Sequence, residues 1–133
     1  HLTVVRICHQ FHKGGLSAAL FVVLTIQTQA QVPSIAHGRW SEDMAWCTNT
    51  AQDGTDEMPI TITKSEIETF ASSCRVLSAT RQGNIWRLKT VCRDEGQSES
   101  EPRTPVTFEM RITGQRMALR DRVDQRLLTK CLK

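Results

Sequence analysis

The sequence predicts a mainly β protein, a small antiparallel meander closed into a barrel and stapled by two disulfides, with a two-sheet β-sandwich as the alternative. Three observations carry this expectation. Apolar and polar residues alternate with period two over several short segments, turn residues punctuate those segments, and four cysteines follow a segment that reads as an export signal. At least six strand-like segments joined by short turns leave no room for two substantial helices.

The first element is the export signal, residues 1–30. Arg6 and Lys13 precede an apolar run from Leu16 to Ile26, and Thr28, Gln29 and Ala30 follow as a cleavage region. The run covers 11 residues, whereas a membrane-spanning helix needs roughly 20, so no integral membrane segment is expected after cleavage. The processed chain then starts at Gln31, and localisation is expected to be periplasmic or secreted. Residues 31–37 contain Pro33 and no periodic pattern, so a disordered lead-in is expected before a single barrel domain over 38–133.

Gly38-Arg39-Trp40 opens the globular part. Thr48 to Met58 carries Asp53, Gly54, Asp56 and Glu57 with almost no apolar residue and reads as a loop. Ile60 and Ile62 alternate with Thr61 and Thr63 in a β-branched strand. Lys64 to Glu68 reads equally as a tight turn or one helical turn, anchored by Ile67 and Phe70. Between Cys74 and Cys92 the centre is Gln82-Gly83-Asn84. With Gly83 at the apex, Cys74 faces Cys92, Val76 faces Thr90, Ser78 faces Leu88 and Thr80 faces Trp86. Directly opposed β-carbons lie about 4.5–5.5 Å apart, so this register brings the two sulfurs together.

Asp94 to Glu101 and the flanking Pro102 and Pro105 form a surface connection. Val106, Phe108, Met110 and Ile112 then alternate inward, and Gly114-Gln115 suits a two-residue turn. Met117 and Leu119 return opposite Ile112 and Met110. Leu127 to Lys133 reads as a last strand carrying Cys131, with a helix over Arg122–Lys130 as its alternative.

Four cysteines beyond the signal allow three pairings. The hairpin register favours Cys74 with Cys92, which leaves Cys47 with Cys131; the sequential pairing of Cys47 with Cys74 and Cys92 with Cys131 remains open. The closest cysteines are 18 positions apart, without the short Cys-x-x-Cys spacing usual for zinc. Three of the four histidines, His1, His9 and His12, lie in the signal, which leaves His37. A multi-histidine metal site is thereby excluded within one processed chain, and a Ser/His/Asp triad has only His37 to use. Asp53, Asp56 and Glu57 lack the alternation of an EF-hand loop and read as solvated. No catalytic, cofactor-binding or metal residue is assigned, and no enzyme activity is expected.

Loss of Arg6 and Lys13 leaves 15 Lys and Arg against 14 Asp and Glu, so general attraction to nucleic acid is not expected. The balance is uneven along the chain. Glu42 to Glu68 holds seven acidic residues against Lys64, and Arg103 to Lys133 holds eight basic residues against Glu109, Asp121 and Asp124. This polarity suits either steering of an acidic partner or outward arginines at 111, 116, 120, 122 and 126 that solubilise their faces. Trp86 shares a face with Leu88 and Cys92 and is expected in the core. Trp40 and Trp46 are the candidate ligand-lining residues at a barrel mouth.

Gly38-Arg39-Trp40 at the start of a small meander resembles the Gly-x-Trp opening of lipocalin-like barrels and of small barrel inhibitors of bacterial secreted proteases. The Trp40 to Cys47 spacing, the acidic loop before Pro59-Ile60-Thr61-Ile62 and a cysteine near the C-terminus are similar to small exported β-barrel proteins of proteobacteria. Residues and resemblance together lead to an exported, non-enzymatic binding module. The expected partner is an envelope or extracellular protein, bound as an inhibitor binds its target; the alternative is a carrier of a small lipophilic ligand.

Overall fold

The computed structural model describes residues 19–21, 27–29 and 31–132. The described residues form nine strands: β1 (Gln27–Gln29), β2 (Gly38–Ser41), β3 (Ile60–Ile62), β4 (Glu66–Glu68), β5 (Ser72–Gln82), β6 (Ile85–Asp94), β7 (Thr104–Thr113), β8 (Arg116–Arg120) and β9 (Gln125–Lys130). Strands β2 to β9 pair antiparallel in sequence order, and β9 returns to β2, so eight strands close into a meander barrel. The sandwich alternative is thereby excluded. The residues expected as the export signal lie, apart from 19–21 and β1, outside the described residues. β1 pairs with the far end of β5, Thr28 opposite Thr80.

The β5–β6 hairpin keeps the expected pairing at its cysteine end, with Cys74 opposite Cys92 and Val76 opposite Thr90. Nearer the turn the register differs by one residue: Ser78 pairs with Lys89 and Gln82 with Ile85. The turn is therefore the two-residue Gly83-Asn84, with Gly83 at φ +63° and no non-glycine residue at positive φ among those described. A two-residue turn alone would place Cys74 opposite Arg93 and leave the sulfurs on opposite faces. The bulge between Val76 and Ser78 absorbs the extra residue, Leu77, which stands half exposed on the outside. Trp86 shares the inner face with Leu88 and Cys92 as expected, packed against the core at its margin.

The β7–β8 hairpin has the expected register, Ile112 opposite Met117 and Met110 opposite Leu119, around Gly114 at φ +60°. Segment 66–68 is a strand and not a helical turn. The hydroxyl of Thr63 accepts from the amide of Glu66 at 3.1 Å, which turns the chain so that Ile67 reaches the core. Phe70, expected as an anchor, is 38% exposed. The helical alternative for the last element is overturned because β9 is paired on both edges, with β8 and with β2.

Trp40, Ile62, Ile67, Leu88, Met110 and Met117 fill the interior, all essentially without exposure. Residues 31–37 are not a disordered lead-in. Val32 and Ala36 are buried in this core, and Ser34–Ala36 forms a single 3-10 turn. The amide of Val32 donates to the carbonyl of Lys64 at 2.8 Å, and the indole Nε1 of Trp40 donates to the carbonyl of Ala36 at 2.9 Å. The order of this segment comes from what it packs on, which no local periodicity announces.

Both favoured disulfides are present, Cys74–Cys92 and Cys47–Cys131, and the sequential pairing is excluded. Cys47 lies on a 3-10 segment, Met44–Thr48, whose start is capped by Asp43 accepting from the amide of Ala45 at 2.9 Å. Its bond to Cys131 clamps the place where the barrel closes. There β2 and β9 pair only through Trp40 with Lys130 and Ser41 with Thr129, supplemented by the Cys131 amide donating to Arg39.

Candidate functional site

Strand alternation sets which side chains enter the barrel. From Trp40 inward, the cross-strand partners are Ile60 on β3; then Ile62 pairs with Ile67, Ile67 with Cys74, Cys74 with Cys92 and Cys92 with Thr104. On β7 the inward row is Val106, Phe108, Met110 and Ile112, as the alternation predicts. Only Met110 is fully buried; Val106, Phe108 and Ile112 remain partly exposed. β7 is ten residues long, but β8 pairs with it only from Glu109 to Thr113, so Val106 and Phe108 in its first half lie beyond the end of β8, at an open end of the barrel.

That open end is a cavity of about 290 Å³. Its floor and walls are Ile60, Ile67, Val106, Phe108 and Leu119, with the Cys74–Cys92 disulfide in one wall. Asp94, Thr104, Asp121 and Asp124 line its polar edge, contributed by the ends of β6 and β7 and by the connection between β8 and β9. The connections bearing the edge are held by short side-chain bonds. Asp121 Oδ1 accepts from the amides of Val123 and Asp124, both at 2.8 Å, and the amide of Asp94 donates to the side-chain oxygen of Gln97 at 3.0 Å.

Arg126 differs from the expectation of an outward, solubilising arginine. It stands opposite Leu119 on the inner face, lines the cavity, and its Nε lies 3.6 Å from the Glu42 carboxylate. The one-residue alternation of β9 decides this, because Leu128 must face the core.

Trp40 and Trp46, the candidate ligand-lining pair, border a different cleft of about 290 Å³ together with Glu42, Asp56, Glu57 and Arg126. Trp40 is fully buried and is the plug of the core. Trp46 is half-buried at the cleft. The two clefts share Ile60 and Arg126, so they flank one wall of the barrel. Sequence reasoning missed Val106, Phe108 and Leu119 as cavity residues. Their inward alternation was the available signal, but it does not distinguish a packed layer from an open one.

His37 is half-buried, and its Nε2 donates to the carbonyl of Val32 at 3.0 Å. This role is structural: it ties the Ser34–Ala36 turn to the chain before it. Among the described residues, no group of three or more His, Cys, Asp or Glu side chains is placed to hold a metal ion.

On the outer face of the barrel, Glu109 sits between two arginines of neighbouring strands, 3.1 Å from Arg87 and 2.9 Å from Arg120. The hydrogen bond from Arg87, then the charge of Arg120, hold its carboxyl below the ordinary glutamate range. A carboxyl depressed in the folded state contributes stability that is present above its unfolded value and lost as pH falls through its folded value. An NMR titration of the Glu109 side-chain carbonyl is therefore expected to give a midpoint below that of free glutamate. In R87Q/R120Q the midpoint is expected to rise back to the ordinary range; an unchanged midpoint would show that the arginines do not set it.

No protein-family model matches the chain, and comparisons with curated proteins and with solved structures find no similar protein.

Proposed function

We propose that the protein is an exported, non-enzymatic binding module that receives a small lipophilic ligand at the open end of its barrel. One observation supports this over the other expectation, an inhibitor-like module: the cavity of about 290 Å³ walled by Ile60, Ile67, Val106, Phe108 and Leu119. Ligand pockets start near 300 Å³ and combine apolar walls with a few polar groups at the edge, which is the composition found here. The remaining interior is closed by Trp40, Leu88, Met110 and Met117, so the ligand is small and enters from one end. In this reading the lipocalin-like resemblance extends to a ligand at the barrel mouth, on a reduced scale.

Export accords with the two disulfides, which persist in oxidising compartments such as the periplasm or the extracellular space. Among the described residues no helix is long and apolar enough to cross a membrane.

The test is methyl NMR with octanol and with naphthalene as probes. Binding is expected to shift the methyls of Ile60, Ile67, Val106 and Leu119 and to leave Met117, deep in the packed layer, unmoved. Val106→Trp fills the cavity from a partly exposed position and is expected to weaken both probes by roughly tenfold or more, because the apolar surface they would bury is already covered. Unchanged affinity in that variant, or shifts confined to Met58 and Leu128 in the Trp46 cleft, would refute the assignment.

A further inference from the structure

We infer that the outer face of β7, β8 and β9 is a docking surface for an acidic segment of another protein, with Arg111 and Arg116 as the residues that grip its carboxylates. The molecule contains an occupied version of the same device. Glu109 on β7 is held between Arg87 on β6 and Arg120 on β8, at 3.1 and 2.9 Å, which shows how this pleated surface seats a carboxylate between guanidinium groups of adjacent strands.

Two residues along β7 from Glu109 and four residues along β8 from Arg120, on the same face, the cations recur diagonally as Arg111 and Arg116, and the carboxylate does not. Arg111 stands opposite Ala118, which stands opposite Leu127, and Arg116 stands opposite Thr113 and Thr129. Both arginines are exposed, and among the described residues neither forms an ion pair. They line a shallow, open groove of about 410 Å³ together with Ala118 and Leu127, the latter 69% exposed. An exposed leucine flanked by unpaired arginines suits a segment that presents a carboxylate beside an apolar side chain. Arg111 and Arg116 stand diagonally on adjacent strands beside one exposed leucine, an arrangement complementary in charge and spacing to discrete carboxylates on a peptide, so an acidic protein segment is the occupant assigned. Charge complementarity also favours speed of encounter, since the face carries Arg111 and Arg116 beyond the Glu109 clasp.

This surface lies on the outside of the barrel and is independent of the ligand cavity. The test uses the full chain with poly-L-glutamate as the acidic probe and phosphatidylglycerol vesicles as the lipid probe, at low and moderate salt. Poly-L-glutamate is expected to bind in a salt-sensitive manner. R111Q/R116Q is expected to weaken binding about tenfold, the combined effect of two exposed charge-assisted pairs. K64Q/R75Q removes equal charge near the opposite side of the barrel and is expected to leave binding within about twofold. Equal loss in the two double variants would reduce the surface to diffuse net charge and overturn the proposal. Failure of poly-L-glutamate to bind, or vesicle binding in its place, would also overturn it. Each variant's far-UV spectrum and melting temperature report folding separately from binding.

Discussion

The double variant C47A/C131A is expected to be destabilised by about 4.5 kcal/mol, and C74A/C92A by about 3 kcal/mol, in urea unfolding of the oxidised chain. The two bonds close loops of very different length, 84 and 18 residues apart in sequence. Loop entropy grows only with the logarithm of that length, so the difference is modest, but position amplifies it. Cys74–Cys92 lies within a hairpin whose strands pair from Ser72 with Asp94 to Gln82 with Ile85, so its loss leaves the surrounding ladder in place. Cys47–Cys131 lies at the closure of the barrel, where β2 and β9 share only Trp40 with Lys130 and Ser41 with Thr129. Against a typical total stability of about 5–15 kcal/mol, loss of the closing bond brings the folded state near its limit. Hydrogen exchange is expected to accelerate first at the amide of position 131, which donates to Arg39, while β5 and β6 keep their protection. A larger loss from C74A/C92A than from C47A/C131A would show that loop length and closure do not govern the contribution of these bonds.

Pairing across β7–β8 was legible because two local signals agree: period-two alternation from Val106 to Ile112 and a Gly-first turn at Gly114 with one workable register. The cysteine pairing was legible for a related reason, although the route to it contains a compensation the sequence hides. Leu77 occupies a bulge, yet nothing in a stretch of alternating residues distinguishes a bulged leucine from an outward one. The order of residues 31–37 was illegible because Val32 is held by Lys64, a partner outside any local window, and because the bond from Trp40 to Ala36, though only four residues long, depends on the indole being buried in the closed barrel. The cavity was half legible. Its residues are the inward row that alternation assigns, but whether that row is covered depends on how far β7 extends past the end of β8 in the closed barrel. Trp40 and Trp46 were separated by depth alone, the first in the core and the second at a cleft. The charge bias of the last third of the chain was visible as composition. Its division into a satisfied clasp at Glu109 and an open groove at Arg111 needed the register of three strands.

Replacement of Trp40 separates packing from hydrogen bonding in the core. Trp40→Ala is expected to cost about 4–5 kcal/mol, the range for deleting a large buried aromatic side chain. The indole is fully buried within the apolar cluster, and Lys130 Nζ lies 5.6 Å from its ring centroid, so truncation opens a gap and removes the ring beneath that ammonium. Trp40→Phe keeps much of the apolar filling but removes the Nε1 donor, leaving the Ala36 carbonyl without that bond at 2.9 Å. Its expected cost is smaller, about 1–3 kcal/mol from the unsatisfied acceptor together with the lost volume. The consequences also differ in place. Because the indole is what fastens the Ser34–Ala36 turn, Trp40→Phe is expected to raise proteolytic sensitivity around Pro33–His37 while exchange protection in β6 and β7 is retained. Limited proteolysis with mass mapping, paired with urea unfolding, measures both. Uniform loss of protection across β6 and β7 in Trp40→Phe, with no earlier cleavage near Ser34, would show that Trp40 acts as filling alone and that the 31–37 segment is held by Val32 and Lys64 without it.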